Sequence, residues 1–151
     1  MMQLRPIGHL ETPFRTIADC PRNGRQIDPA PACHAVVDPA FLGGLLSLDG
    51  FSHLILLYWL GPQDAGLHIT PPFDGQARGG FATRAPLRPN PVGLSVVAYD
   101  GSAAPGRLRV RHLDCMDGTP LLDIKPYLPS TDAEPGAAMG WLTPHRTARG
   151  R

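Results

Sequence analysis

Apolar and polar residues change period several times along the chain, and each change marks an element. From Phe51 to Leu60 the sequence FSHLILLYWL is almost wholly apolar. Ten such residues bounded by Asp49-Gly50 and Gly61-Pro62 predict a strand with both faces buried. Arg107 to Asp114 alternates instead: Arg107, Arg109 and Arg111 face one way, Leu108, Val110 and His112 the other. Leu4–Leu10, Cys33–Val37, Gly80–Thr83, Val92–Asp100 and Thr119–Tyr127 read as further strands. Phe41–Leu48 makes a helical turn or two, weakened by Gly43-Gly44. The long stretches Glu11–Ala32 and Gln63–Ala77 read as loops. Six or seven short strands with almost no helix predict an all-β fold, a single closed or nearly closed β-barrel with long Pro- and Gly-rich loops.

The segment Gly79–Leu94, GGFATRAPLRPNPVGL, breaks every period. Pro86, Pro89 and Pro91 fix φ and remove backbone donors, and they push Ala85, Arg88 and Asn90 toward extended geometry. The result is a stiff irregular loop carrying Arg84, Arg88 and Asn90. Such a loop suits a pre-formed polar receptor and equally a solvated crossover between strands. A second polar stretch, LDCMDGTPLLDIKPYLP from Leu113 to Pro129, places Asp123, Lys125 and Tyr127 on one strand face. That face reads as exposed, with a pocket lining as the alternative. After Pro129 the chain turns polar and Gly-rich, so residues 1–132 are expected to form the barrel domain and 133–151 a loose tail.

Composition narrows the function classes. The 151 residues suit one domain, and 42% apolar with 18% charged residues argues against disorder. A net charge of +1 excludes binding nucleic acid through a diffuse positive field. All but one of the 14 basic residues are arginine, the exception being Lys125. Arginine is the better fork for carboxylate and phosphate, although high genomic GC content gives the same bias. The three cysteines, Cys20, Cys33 and Cys115, show no CxxC spacing, which points to reduced thiols and a cytoplasmic location. No metal site is expected, since neither the cysteines nor His53 and His68 have ligand spacing. No signal peptide or membrane span is expected, because the longest apolar run, Leu54–Leu60, is too short to cross a bilayer.

Taken together and in order, FSHLILLYWL, FATRAPLRPNPVGLS and LDCMDGTPLLDIKPYLP resemble the TrmO (TsaA-like, YaeB) family, with a match from about Ile7 to Asp132. The resemblance implies an S-adenosylmethionine-dependent tRNA methyltransferase with a β-barrel instead of a Rossmann fold. Its implied reaction is methylation of the exocyclic nitrogen of threonylcarbamoyl-adenosine, beside the anticodon of threonine tRNAs. It further implies a homodimer. Carried over by motif, the cofactor site would draw on Pro21, Arg22, Asn23, Leu60, Gly61, Arg84, Leu94, Asp114, Cys115, Met116 and Asp117. The family's PRQ is Pro21-Arg22-Asn23 here, with Arg25-Gln26 close behind, so either Asn23 or Gln26 stands for the glutamine.

Chemistry adds roles to these positions. A cofactor carboxylate suits Arg84 and ribose hydroxyls suit Asp114. The accepting nitrogen is a weak nucleophile, so loss of its proton would help, with Asp117 or Tyr127 as the candidate base. Arg88, Asn90 and Lys125 are candidates for holding the RNA. A non-catalytic S-adenosylmethionine- or RNA-binding barrel is the alternative.

Overall fold

The computed structural model describes residues 1–61 and 66–146, and the chain divides into two compact units. The first comprises Met1–Gly61 and Val92–Tyr127. Its strands are β1 (Gly8–Glu11), β2 (Cys33–Val37), β3 (His53–Trp59), β6 (Val92–Ala104), β7 (Arg107–Arg111) and β8 (Pro120–Pro126). They close into a barrel in the order β1-β2-β7-β6-β3-β8. Every neighbouring pair is antiparallel. Closure removes the free edges on which an open sheet would pair with other chains.

The core follows from the period-2 pattern. Leu10, Leu54, Leu56, Val97, Leu108, Val110 and Leu121 are at most 1% exposed and fill the lumen. β3 departs from its expected double burial: Leu54, Leu56 and Tyr58 are buried, while His53, Ile55, Leu57 and Trp59 are half-buried. A barrel strand has one lumen face, and an apolar outer face looks the same in sequence. β6 runs beyond its expected end at Asp100 to Ala104. Its first half pairs with β3 and its second with β7, with the register shifting after Tyr99. Such irregularity bends a strand around a barrel. Leu4–Ile7 are not strand; β1 begins at Gly8.

Each strand reverses its neighbour, so the loops fall on two rims. The ends of β1, β3 and β7 and the starts of β2, β6 and β8 form one rim, called here the upper rim. The lower rim carries the 3-10 segment Pro39–Leu45. Its Phe41, Leu42 and Leu45 pack on the core.

The second unit comprises residues 62–91 and 128–151, described here over 66–91 and 128–146. It has a two-stranded sheet of β4 (His68–Ile69) and β5 (Arg78–Gly79), and a short helix α1 (Pro129–Asp132). Gly80–Ala82, expected to be strand, is a 3-10 turn. The Gly79-Gly80 pair at its start has low strand preference. A second 3-10 segment, Gly140–His145, brings Trp141 to Phe73 with rings stacked at 6.0 Å and 11°. The Trp141 indole N–H donates to Ala82 O at 2.8 Å, and the Arg78 guanidinium lies 4.7 Å over the Trp141 ring. Asp74 accepts two bonds from Arg78 and lies 2.9 Å from His145 Nε2. These contacts join residues 73–82 to residues 141–145, which are distant in sequence. Residues 147–151 of the expected tail lie outside the described residues.

Candidate cofactor site

The upper rim is built from four pieces of the first unit: the β1–β2 loop, the end of β3, the start of β6 and the β7–β8 loop. Pro21, Arg22 and Asn23 lie in the first piece, Leu60 and Gly61 in the second, Leu94 in the third, and Asp114, Cys115, Met116 and Asp117 in the fourth. The fold therefore gathers every candidate cofactor residue of this unit at one end of the barrel. Sequence separation among them reaches from Pro21 to Asp117.

The centre of the rim is a buried polar chain. The Tyr58 hydroxyl donates to Asp114 Oδ1 at 2.8 Å and lies 2.7 Å from Ser95 Oγ. The phenol has one proton and gives it to the carboxylate, so the Ser95 hydroxyl must be the donor to the phenol oxygen. Tyr58 is 2% exposed. Burial, followed by the neighbouring Asp114 charge, pushes its hydroxyl far above the usual tyrosine range. It stays a neutral donor at any physiological pH.

Gly93 makes this geometry possible. It pairs with Tyr58 across β3 and β6, and a Cβ at 93 would overlap the Tyr58 ring. The absent side chain lets the ring lie across β6. The motif PVGLS thus has a physical reading: Gly93 admits the ring, Leu94 stands outward at 46% exposure, and Ser95 meets the hydroxyl.

The β7–β8 loop is held by main-chain bonds. Thr12 Oγ1 donates to Cys115 O at 2.8 Å, the Asp117 N–H to Phe14 O, and the Gly118 N–H to Leu10 O. Asp117 Oδ1 accepts the Thr12 N–H at 3.0 Å. Asp117 is exposed and serves as a bracket between two loops. Cys115 is 3% exposed, and burial raises its thiol to about 12, so it stays protonated. What Cys115 can offer a ligand is its main chain.

The knot of residues 20–26 docks on the same loop. Gly24 lies so close to His112 O that a Cβ would overlap it, and His112 Nδ1 is 3.2 Å from Gly24 O. Within the knot, Gln26 Oε1 accepts the Arg22 N–H at 2.6 Å and Asn23 Oδ1 accepts the Arg25 N–H at 2.9 Å. Both side-chain oxygens that compete for the family's glutamine position fold the knot itself.

Lys125 and Tyr127 stand elsewhere. Asp117 precedes β8 and Tyr127 follows it, and the seven residues of that strand span about 20 Å. The two candidate bases therefore sit at opposite rims. Tyr127 packs edge-on against His53 at 6.3 Å, and Lys125 Nζ pairs with Asp123 at 3.0 Å. Lys125 is exposed, with Asp123 and Tyr127 half-buried.

In the second unit, Arg88 Nη1 donates to Thr83 O at 2.8 Å and to Ala85 O at 3.0 Å. Its guanidinium braces its own loop, which holds no helix or strand from Thr83 to Pro91. Arg84 and Asn90 are exposed on that loop. The arginine stripe of β7 is largely occupied. Arg107 pairs with Glu11, Arg111 with Asp100 at 2.7 Å, and Arg109 donates to Ser102 O at 3.0 Å. The alternation was legible, but these partners were not.

Two cavities, of about 430 and 340 Å³, open at the lower rim. The larger is lined by Leu42, Leu45, Leu46, Pro105 and neighbours, with Ser102 as its one polar side chain. Such a lining cannot orient a charged nucleoside cofactor, so the polar upper rim is the better candidate.

The tRNA-methyltransferase O N-terminal domain family matches residues 9–133. The chain belongs to this family. A solved structure of TrmO superposes with a TM-score of 0.76 at 37% identity, over 93% of this chain and 64% of that one. Two relatives from Archaeoglobus fulgidus are similar over most of the chain. A probable S-adenosyl-L-methionine-binding protein is 39% identical over 147 residues, 94% of this chain and 38% of that one. An S-adenosyl-L-methionine-binding protein is 42% identical over 132 residues, 87% of this chain and 93% of that one. A tRNA (adenine(37)-N6)-methyltransferase of Eikenella corrodens is 44% identical over 98 residues, 60% of this chain and 56% of that one. The chain thus spans less than two thirds of the solved TrmO chain and of two of these relatives. TrmO membership agrees with the barrel: mostly strand, closed, six-stranded and antiparallel. Among the described residues no helix is long and apolar enough to cross a membrane.

Proposed function

We propose that the upper rim binds S-adenosylmethionine and that the chain transfers its methyl group to the exocyclic nitrogen of threonylcarbamoyl-adenosine in threonine tRNA. The observation that carries this reading is the convergence of Pro21–Asn23, Leu60–Gly61, Leu94 and Asp114–Asp117 on one rim. The names of the methyltransferase and cofactor-binding relatives support it.

In the reaction the methyl carbon leaves the sulfonium sulfur as it bonds to nitrogen, and the nitrogen loses its proton. The bound cofactor supplies the electrophilic methyl group. The chain's work is alignment and exclusion of water. Asp114 meets the ribose hydroxyls, and main-chain groups of residues 115–117 meet the adenine edge. Leu60 and Leu94 supply apolar cover. Arg84, which the family resemblance assigns to the cofactor, keeps the role of carboxylate partner that its guanidinium chemistry suits. Of the two candidate bases, Asp117 shares the rim with Asp114, and Tyr127 does not. The assignment of a base therefore narrows to Asp117, a carboxylate already accepting one bond from Thr12. Arg88 and Asn90 keep the proposed contact with RNA, and the homodimer and cytoplasmic setting are part of the same proposal.

Calorimetry tests the cofactor reading. Micromolar binding of S-adenosylmethionine and its demethylated product is expected, roughly −7 to −8 kcal/mol. Radiolabel transfer to threonine tRNA carrying the threonylcarbamoyl group tests the reaction. The second reading, a cofactor-binding barrel without catalysis, rests on the relative of nearly equal length named only for binding. Binding without transfer to any tRNA would select it.

A further inference from the structure

The lumen of a small barrel is a poor place for a hydroxyl pair, yet Tyr58 and Ser95 stand side by side in this one at 2% and 8% exposure. An isolated hydroxyl there costs free energy until it finds a partner, and phenylalanine with alanine would fill the same space at no such cost. The pair ends on Asp114, the carboxylate assigned to the ribose, and the ring reaches it only because position 93 has no side chain. Tyr58 belongs to the apolar run of β3 and would pass for core. Its burial keeps the OH from ionising, so the direction of donation, from Ser95 to Tyr58 to Asp114, does not change with physiological pH.

We infer that Tyr58 and Ser95, admitted by Gly93, form a buried positioning relay that holds the Asp114 carboxylate in the orientation that receives the cofactor's ribose. The inference rests on the cofactor reading above and deepens it. Neither residue touches cofactor; both act through Asp114. An aspartate has two rotatable bonds, and one bond from a buried, rigid donor fixes the plane of the carboxylate before ligand arrives. Ligand then meets a group whose freedom is already spent. The Ser95 hydroxyl polarises the phenol and strengthens its donation.

The test is a double-mutant cycle read by calorimetry with S-adenosylhomocysteine on the full chain. Tyr58→Phe keeps the ring and removes the hydroxyl, and is expected to weaken binding about tenfold, the scale of one hydrogen bond to a charged group. Ser95→Ala is expected to weaken it by a smaller factor, about threefold. In an Asp114→Ala background, Tyr58→Phe is expected to change affinity less than twofold, because the relay has lost its acceptor. Thermal melts of the same variants separate positioning from folding: a general loss of structure would lower affinity equally in both backgrounds. Equal loss in both backgrounds, or unchanged affinity in Tyr58→Phe while the wild type binds, overturns the relay alone. Should Tyr58→Phe not fold, Ser95→Ala in the two backgrounds carries the same comparison. A wild-type chain that binds no cofactor overturns the functional reading and the relay with it.

Discussion

The two rims of the barrel face the same problem with different residues. Each must stop a column of core side chains and turn the strands around. The lower rim does so with apolar groups: Phe41, Leu42 and Leu45 of the 3-10 segment pack on the core. The upper rim does so with polar groups held by hydrogen bonds: Thr12 Oγ1 to Cys115, the Thr12 N–H to Asp117, Tyr58 to Asp114. An apolar plug needs only contact, whereas a polar rim needs each buried donor and acceptor matched. Among the described residues no buried side-chain nitrogen or oxygen lacks a partner. Both solutions stabilise the barrel, but the polar one also leaves groups that a ligand can use, in keeping with the proposed site at the upper rim.

The sharpest way to break this comparison is one substitution made on each rim. Gly93→Ala drives a methyl group into the Tyr58 ring, with an expected cost of about 1–3 kcal/mol. It should also lower cofactor affinity at least as much as Tyr58→Phe, since the ring carries the hydroxyl that meets Asp114. Gly106→Ala, on the lower rim, puts a Cβ 2.5 Å from Leu42 Cδ2 and 2.9 Å from Val37 O at a φ of +75°. It should cost as much stability, with cofactor affinity unchanged. Paired denaturant melts and calorimetry check both, and equal loss of affinity in the two variants would erase the functional difference between the rims.

Arg84→Ala is expected to weaken cofactor binding about tenfold or more without altering the melting temperature, because an exposed side chain carries little packing. Unchanged affinity would remove Arg84 from the site. A smaller effect concerns RNA. In the triple change Arg107, Arg109, Arg111→Ser the Michaelis constant for tRNA should rise less than in Arg88→Ala, because Glu11 and Asp100 already neutralise Arg107 and Arg111, whereas Arg88 bonds only to main-chain oxygens and keeps its charge. Steady-state kinetics at one fixed salt concentration would show the order, and a larger loss from the stripe would move the RNA to the outer face of β7.

The smallest expected effect lies in the second unit and depends on pH. The bonds from Arg78 hold the Asp74 carboxyl below the usual carboxylate range, with His145 adding to the effect. A depressed carboxylate contributes stability that is complete above its unfolded pKa, about 3.9, and is lost as pH falls through the lower folded value. Asp74→Asn should therefore lower the melting temperature slightly at pH 7 and flatten its decline below about pH 4. A mutant melting curve that still falls with acid as steeply as the wild type's would assign the acid loss to other carboxylates.

Sequence pattern alone carried much of this protein. The alternation in Arg107–Arg111, the bounds of Cys33–Val37 and the strand at Pro120–Pro126 were all legible, because a strand side chain obeys a local period of two. The family motifs also marked nearly all the residues that now share the upper rim. What the sequence could not fix was anything that depends on a second strand. Tyr58 read as core because its OH partner is 56 residues away, and the need for glycine at Gly93, inside an expected strand, was not visible because the ring that requires it lies on β3. Asp117 and Tyr127 looked like interchangeable bases ten residues apart, until β8 placed them at opposite rims. Local periodicity determines which face a side chain takes. Only closure of the barrel decides what stands opposite it, since a hydrogen bond is set by distance in space and carries no trace of separation along the chain.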